Sequence, residues 1–172
     1  MNLDLPSTIV IARPTPLQTA GLHTCLDVVA RELIYLEMVE APSLGKVVEH
    51  QCSLISSGAP VAYAFDGNVV VGWADITPSK NPRMSHRGSL GMGVHPAYRG
   101  AGLGTLLLAE ALKQAESFGF EKVELGVYST NIAAITLYKK MGFVREGLVM
   151  NYRKLGREAF NLIEMAKFFT TH

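Results

Sequence analysis

The chain has 172 residues, of which 48% are hydrophobic and 18% are charged, and its formal net charge at pH 7 is +1. This composition supplies enough apolar side chains for a core and excludes an intrinsically disordered chain. The 16 basic and 15 acidic residues are interspersed, so the sequence lacks the clustered cations of a non-specific nucleic-acid-binding protein. We therefore expect one domain over residues 1–172 that binds no nucleic acid.

Cysteine usage and hydropathy indicate a cytoplasmic protein. Cys25 and Cys52 are isolated thiols within predicted helices, which predicts reduced packing residues and neither a disulfide framework nor a metal site. The first residues lack the basic and apolar regions of a secretory signal. No run of eighteen apolar residues occurs, so we expect no membrane association.

The first half of the chain is predicted to form a strand, two helices and a β-hairpin. β-Branched residues predict the first strand, and apolar periodicity predicts the helices. An Asp66-Gly67-Asn68 turn between apolar runs predicts the hairpin. The predicted elements are a strand over 8–12, helices over 17–36 and 43–56, strands over 60–65 and 69–76, and a loop over 77–87.

The second half is predicted to alternate strands and helices. Gly91 and Gly93 interrupt the first of these strands, which indicates a bulge or a close approach of backbone. Gly119 and Gly142 follow the two helices as C-caps, and the basic stretch 145–157 is expected to be a solvated strand edge. The first strand-helix-strand unit should be parallel. The predicted elements are strands over 89–94, 122–128, 143–154 and 159–168, and helices over 102–118 and 131–141.

The segment Arg99-Gly100-Ala101-Gly102-Leu103-Gly104 lies where a strand runs through a short loop into a long helix. Helix N-termini present free N–H groups and the positive end of a dipole, which suits phosphate groups. No Gly-Lys-Ser/Thr follows, so the segment is not a Walker A loop, and its glycine spacing differs from the dinucleotide-binding fingerprint. The segment predicts a site for an anionic phosphate ligand.

A second segment, Asn131 to Phe143, follows the next strand. Together the two segments resemble the CoA-binding elements of the GNAT acetyltransferases, whose pyrophosphate loop has the pattern Arg-x-x-Gly-x-Gly. The resemblance implies an α/β (α+β) GNAT fold: a mixed sheet of six to seven strands with a parallel, splayed central pair, flanked by about four helices. The pantetheine arm of CoA would lie between the splayed strands. The implied CoA contacts are Met92, Gly93, Val94, Arg99, Gly100, Ala101, Gly102, Leu103, Gly104, Thr105, Asn131, Ala134 and Tyr138.

The resemblance also implies catalytic roles. A backbone N–H near Met92 would bind the thioester oxygen, and Tyr138 would protonate the leaving sulfur as general acid. The strand before the loop carries no acid, so the general base stays open, and a water relay could suffice for an α-amine that is partly neutral at pH 7. The candidates for a protein base are Glu124, His86, Asp75 and Glu37, with His86 preferred because it precedes the glycine-containing strand. His95 is expected to have a positioning role, and Trp73 is expected to pack near the acceptor pocket.

The expected function is N-acyl transfer from acetyl-CoA to a primary amine of an amino-acid-like small molecule or a peptide, without a metal. The tail, residues 144–165, resembles bacterial enzymes that acetylate free amino acids, although Asn161 stands where those often carry Asp. A non-catalytic acyl-CoA-binding module and a protein N-terminal acetyltransferase are the alternatives. The oligomeric state stays open, with a homodimer as one alternative.

Overall fold

The computed structural model describes residues 5–169 as one seven-stranded sheet with helices on both faces. The predicted fold class, including the parallel central pair, is confirmed. The elements are β1 (Ile9–Ala12), α1 (Thr19–Ala30), α2 (Leu44–Ser56), β2 (Val61–Asp66), β3 (Val69–Pro78), β4 (Arg87–Val94), α3 (Leu103–Phe118), β5 (Lys122–Tyr128), α4 (Ile132–Lys140), β6 (Val144–Leu155) and β7 (Glu158–Phe168).

The strand order in the sheet is β1-β2-β3-β4-β5-β7-β6. All neighbouring strands are antiparallel except β4 and β5. The last strand of the chain, β7, lies between β5 and β6, an insertion that the sequence pattern did not predict. As a result β6 forms an edge of the sheet, in agreement with the expected solvated strand edge.

One predicted helix is too long. The helix expected over 17–36 is a 3-10 turn at Pro16–Gln18 followed by α1, which ends at Ala30. The Asp27 carboxylate bonds both the Arg31 side chain, at 2.7 Å, and the backbone N–H of Ala41, at 2.9 Å. The chain therefore turns back on α1, and the apolar residues after Ala30 belong to an irregular segment, 31–43.

Each face of the sheet has its own apolar core, because side chains alternate along the strands. Ala74 and Ile76 of β3 pack with α3 and α4, whereas Trp73 packs with α1 and α2. The sheet thus has an α3/α4 face and an α1/α2 face. Along β4, Gly88 and Leu90 are buried towards α3, whereas Ser89 and Gly91 are exposed on the opposite face.

The parallel strands β4 and β5 pair over only three positions. Residues 87–89 lie beside residues 122–124, and no pairing between the two strands continues beyond them. The outer edge of β4 remains bonded to β3, and the outer edge of β5 to β7. Residues 90–94 and 125–128 therefore diverge, and the gap between them is called the wedge here.

Gly88 lies at the closed end of the wedge and has no room for a side chain. A β-carbon there would lie 2.5 Å from Ile76 Cγ2 and 2.8 Å from Phe120 Cζ. We expect Gly88→Ala to lower the free energy of unfolding by about 1–3 kcal/mol through overpacking, measured by urea denaturation. Gly45→Ala, in α2 with no atom within 4 Å of the new methyl group, should cause no loss. Equal stability of the two variants would contradict the tight packing.

Candidate functional site

A cavity of about 380 Å³ occupies the wedge and extends to the loop before α3. Its volume lies within the range of small-molecule sites. The cavity wall includes every CoA contact expected from the sequence except Ala101. Leu90, Leu125, Val127 and Leu137 supply the apolar part of that wall.

The loop before α3 presents a set of free N–H groups. Gly100 and Gly102 adopt left-handed conformations, with φ of 83° and 86°. Within residues 5–169, the N–H groups of residues 100–104 donate no hydrogen bond, and the first donor after them is Thr105, which bonds the oxygen of Gly102. Free amides at the start of a 16-residue helix form a binding site for an anion such as a phosphate group.

Arg99 does not extend freely towards this loop. Its Nε donates to the oxygen of Val94 at 2.8 Å, and both terminal nitrogens bond the Glu32 carboxylate, at 2.8 and 2.6 Å. The guanidinium also lies 4.7 Å from the centre of the Tyr35 ring. The positive charge predicted for the loop is thus shared with a carboxylate, and Arg99 links the loop to the segment 31–43.

The backbone of β4 directs polar groups into the wedge. His95 donates its N–H to Val71 of β3, and the peptide groups of successive residues in a strand point to opposite edges. The N–H and C=O groups of Leu90 and Met92 therefore point away from β3 and into the gap, as does the N–H of Val94, whose C=O accepts from Arg99. An extended ligand that carries amides can pair with such an edge as an added strand would.

Tyr138 of α4 lines the cavity and is 8% exposed. Its ring packs against Phe143, with 5.7 Å between ring centroids. Burial raises the pKa of Tyr138 to about 12, so the phenol stays protonated at neutral pH and can donate a proton. Asn131 Oδ1 accepts from the N–H of Ala134 at 3.2 Å, which caps the helix that carries Tyr138.

Two of the candidate bases lie at the closed end of the wedge. The backbone oxygen of His86 accepts from Glu121 and Lys122, and its ring does not line the cavity. Glu124 lies between two cations, with Arg87 at 3.5 Å and Lys122 at 3.7 Å. Both residues are thus engaged away from the open part of the wedge.

The other two candidate bases, Glu37 and Asp75, do not line the cavity themselves but neighbour residues that do, Leu36 and Gly91. Glu37 accepts a short hydrogen bond from the Tyr152 hydroxyl. Asp75 is buried beneath α2, where Gln51 Nε2 donates to its Oδ2 at 3.0 Å. A β-carbon added to the neighbouring Gly91 would lie 3.5 Å from Asp75 Oδ1. Asp75 therefore reaches the exposed glycine of β4, which itself lines the cavity.

Trp73 packs beside β4, and His95 directly follows the strand. The Trp73 indole fills the space that a side chain at Gly93 would need and packs on the α1/α2 face of the sheet. His95 Nδ1 accepts from the N–H of Ala97 at 3.3 Å and begins the 3-10 turn that leads into the loop. Both residues thus shape the strand from which the loop departs.

Sequence reasoning missed part of the cavity wall. Val29, Tyr35 and Leu36 line the cavity but come from α1 and the segment 31–43, where no local pattern indicated a site. Gly126 of β5 also lines it, and could have been found by extending the expected splay to the second strand. Within residues 5–169, no group of three His, Cys, Asp or Glu side chains could hold a metal ion, and no helix is long and apolar enough to cross a membrane.

Comparison with known proteins gives a consistent picture. The model of the acetyltransferase (GNAT) family matches residues 29–143. L-amino acid N-acetyltransferase AaaT of Escherichia coli K12 is 31% identical over 104 residues, 60% of this chain and 64% of AaaT. N-alpha-acetyltransferase RimI of Mycobacterium tuberculosis is 36% identical over 101 residues, 58% of this chain and 61% of RimI. The matched parts thus span less than two thirds of these relatives.

Two solved structures share the fold over nearly the whole chain. A GNAT-family acetyltransferase from Streptococcus pneumoniae has a TM-score of 0.86 and 26% identity, covering 94% of this chain and 99% of that one. The protein yncA from Salmonella typhimurium, solved with acetyl-CoA, has a TM-score of 0.89 and 19% identity, covering 96% of both chains. The seven-stranded sheet is therefore the fold of known acetyltransferases.

Gly102 allows a direct test of the loop. A bulky side chain there would cover the free amides, so Gly102→Val should abolish CoA binding in isothermal titration. Gly119→Val is the matched control, because Gly119 is also left-handed, with φ of 94°, and ends the same helix outside the cavity. Each variant should lose about 1–3 kcal/mol of stability through backbone strain. Undiminished CoA binding by a folded Gly102→Val protein would show that the loop is not part of the CoA-binding site.

Proposed function

Because the chain belongs to the acetyltransferase (GNAT) family, whose model matches residues 29–143, we propose that it is an acetyl-CoA-dependent N-acetyltransferase of primary amines. One observation carries this proposal. A single cavity joins the free amides of the loop, the unpaired edges of the wedge and the phenol of Tyr138. These three features match the pyrophosphate, the pantetheine arm and the sulfur of one extended ligand.

The cavity would hold the pyrophosphate, pantetheine and thioester parts of acetyl-CoA. The amides of residues 100–104 would bind the pyrophosphate, and the peptide groups of Leu90 and Met92 would pair with the pantetheine amides. A β-carbon added to Gly104 would lie 3.4 Å from Leu137 Cδ2 and 3.8 Å from Met92 Cε. The start of α3 therefore lies directly beside the wedge. This arrangement would place the thioester near Met92 and Tyr138.

The reaction needs little beyond placement of the two substrates. The lone pair of a neutral amine attacks the thioester carbon, the N–C bond forms, and the C–S bond breaks with its electron pair on sulfur. The Met92 N–H points into the wedge and would stabilise the negative charge that develops on the carbonyl oxygen. Tyr138 would supply the proton that the sulfur takes up.

The acceptor side supports a small amine. Arg153 donates to the oxygen of Leu36 at 2.7 Å, and the Tyr152 hydroxyl bonds Glu37. These contacts tie β6 to the segment 31–43, whose Tyr35 and Leu36 line the cavity. We expect an acceptor that fits beside this segment, a free amino acid or a similar small amine, to be preferred over a peptide chain.

A turnover screen tests the function. Wild-type protein is incubated with acetyl-CoA and a panel of primary amines, with release of free thiol as the readout. We expect turnover with amino-acid-like amines and acetylated amine as the product. CoA binding without thiol release for any amine would instead support a non-catalytic acyl-CoA-binding module.

Tyr138→Phe tests the proposed acid. The ring should still pack against Phe143, so CoA affinity should hold, whereas kcat should fall by about 10²-fold, the low end for general acids because a thiolate leaves readily. The wild-type rate should show no alkaline loss from Tyr138 up to pH 10, since its pKa is about 12. Tyr98→Phe, which loses a hydrogen bond to Asp66 outside the cavity, is the control. An unchanged kcat in Tyr138→Phe would show that Tyr138 has a packing role and is not the acid.

Glu32→Gln tests how Arg99 contributes to binding. Removal of the carboxylate charge leaves the guanidinium uncompensated beside the loop. CoA affinity should therefore rise about 2- to 10-fold at low salt. The gain should shrink at higher salt, which screens the attraction between the guanidinium and CoA. Arg99→Ala should weaken CoA binding. Arg31→Gln, whose side chain pairs with Asp27 and Glu40, is a charge control on the same segment. A fall in CoA affinity in Glu32→Gln would show that the ion pair serves mainly to order the loop.

A further inference from the structure

The acceptor side of β4 lacks side chains at two alternate positions. Gly91 and Gly93 lie on the α1/α2 face, where β3 presents Asp75 and Trp73 directly beside them in register. The indole occupies the space over Gly93, whereas Asp75 Oδ1 stands at contact distance from the side-chain position of Gly91. A carboxylate from β3 therefore lies where β4 itself offers none.

Two further side chains hold this carboxylate in place. The Tyr63 hydroxyl donates to Gln51 Oε1 at 2.9 Å, which directs Gln51 Nε2 towards Asp75 Oδ2 at 3.0 Å. Within residues 5–169, Oδ1 accepts no hydrogen bond from another side chain and is not among the buried, unpartnered atoms. One oxygen is therefore fixed, and the other stands free beside Gly91.

The surroundings of Asp75 favour proton uptake. Burial raises its pKa, although the hydrogen bond from Gln51 and the nearby His50 on α2 lower it in part. From β2 the facing group is Tyr63, whose own pKa burial raises, so it stays protonated. From β4 only Gly91 faces it. A carboxylate with a raised pKa can accept a proton from an ammonium group more readily than an exposed one.

We propose that Asp75 Oδ1 binds the ammonium group of the acceptor over Gly91 and removes its proton before attack on the thioester. This inference rests on the proposed acetyltransferase function. One N–H bond breaks, its proton passes to the carboxylate and then to solvent, and the lone pair stays on nitrogen. After the N–C bond forms, nitrogen loses a second proton, which balances the proton taken up by the departing sulfur.

The other candidate acids are less suited to this step. The carboxylate of Glu124 faces Arg87 and Lys122, and that of Glu37 accepts from Tyr152. Asp75 combines burial, one free oxygen and a position beside an exposed residue of the cavity wall. Gly91 is then explained as the residue that leaves room for the amine between carboxylate and thioester.

Asp75→Asn keeps the shape of the side chain and an oxygen that can accept from Gln51. The variant should bind CoA with wild-type affinity, while kcat/KM for the best amine of the panel falls about 10²–10⁴-fold at pH 7. The wild-type rate should fall as pH drops through the pKa of Asp75. The rate of the variant should not show this fall at the pKa of Asp75. It should instead rise with pH up to the pKa of the amine itself, about 8 for an α-amine.

Gly91→Ala tests the same geometry without changing Asp75. The added methyl group is in ordinary contact with Oδ1, so the protein should fold, yet the group would stand between the carboxylate and the amine. We expect at least a ten-fold rise in the KM of the amine with an unchanged KM for acetyl-CoA. Gly45→Ala is the matched control and should leave both values unchanged.

The outcomes separate this inference from the function on which it rests. A wild-type enzyme that turns over amines, together with an unchanged pH profile in Asp75→Asn or an unchanged amine KM in Gly91→Ala, would overturn the role of Asp75 alone. Absence of thiol release by the wild type with every amine would overturn the proposed function and this inference together. If Asp75→Asn does not fold, the KM of the amine in Gly91→Ala decides whether Asp75 has the proposed role.

Discussion

The parting of β4 from β5 is the feature on which the site depends. The two strands pair at only three positions, because β3 holds the outer edge of β4 while β7 holds the outer edge of β5 along its whole length. Unpaired peptide groups are costly inside a sheet unless water or a ligand satisfies them. Here they line a cavity, so the sheet keeps a row of hydrogen-bonding groups ready for an extended ligand.

The glycines of β4 serve different faces of the sheet. Gly88 makes room for Ile76 and Phe120 on the α3/α4 face, so it is a packing residue. Gly93 makes room for the Trp73 indole on the α1/α2 face, whereas at Gly91 only Asp75 Oδ1 comes within contact distance of the side-chain position. One edge of β4 thus borders the wedge, and one face of it is left without side chains at two alternate positions.

The segment 31–43 connects the loop before α3 with β6. Glu32 binds Arg99 beside the loop, and Leu36 and Glu37 bond residues of β6. These contacts join residues far apart in the chain, and each involves a polar or charged side chain at the border of the cavity.

Much of the fold could be predicted from local signals. Strand alternation, helical periodicity and turn residues located nearly every element, because these signals reflect the backbone preferences of neighbouring residues. The helix after residue 17 was overestimated, because the bond from the Ala41 N–H to Asp27, which brings the chain back onto α1, joins residues 14 positions apart. The insertion of β7 between β5 and β6 was also missed, since strand order depends on pairing between distant segments.

The candidate site shows the same division between features encoded by local signals and features that depend on distant contacts. The sequence by itself indicated the anion-binding loop from Arg99 to Gly104, because its glycines stand in a short motif between a strand and a helix, and the resemblance to the acetyltransferase family added Asn131 and Tyr138. Only the tertiary structure decided that Glu32 neutralises Arg99 and that Asp75 of β3 stands over Gly91 of β4. Those contacts depend on strand register and on the packing of distant segments, which no local pattern of residues encodes.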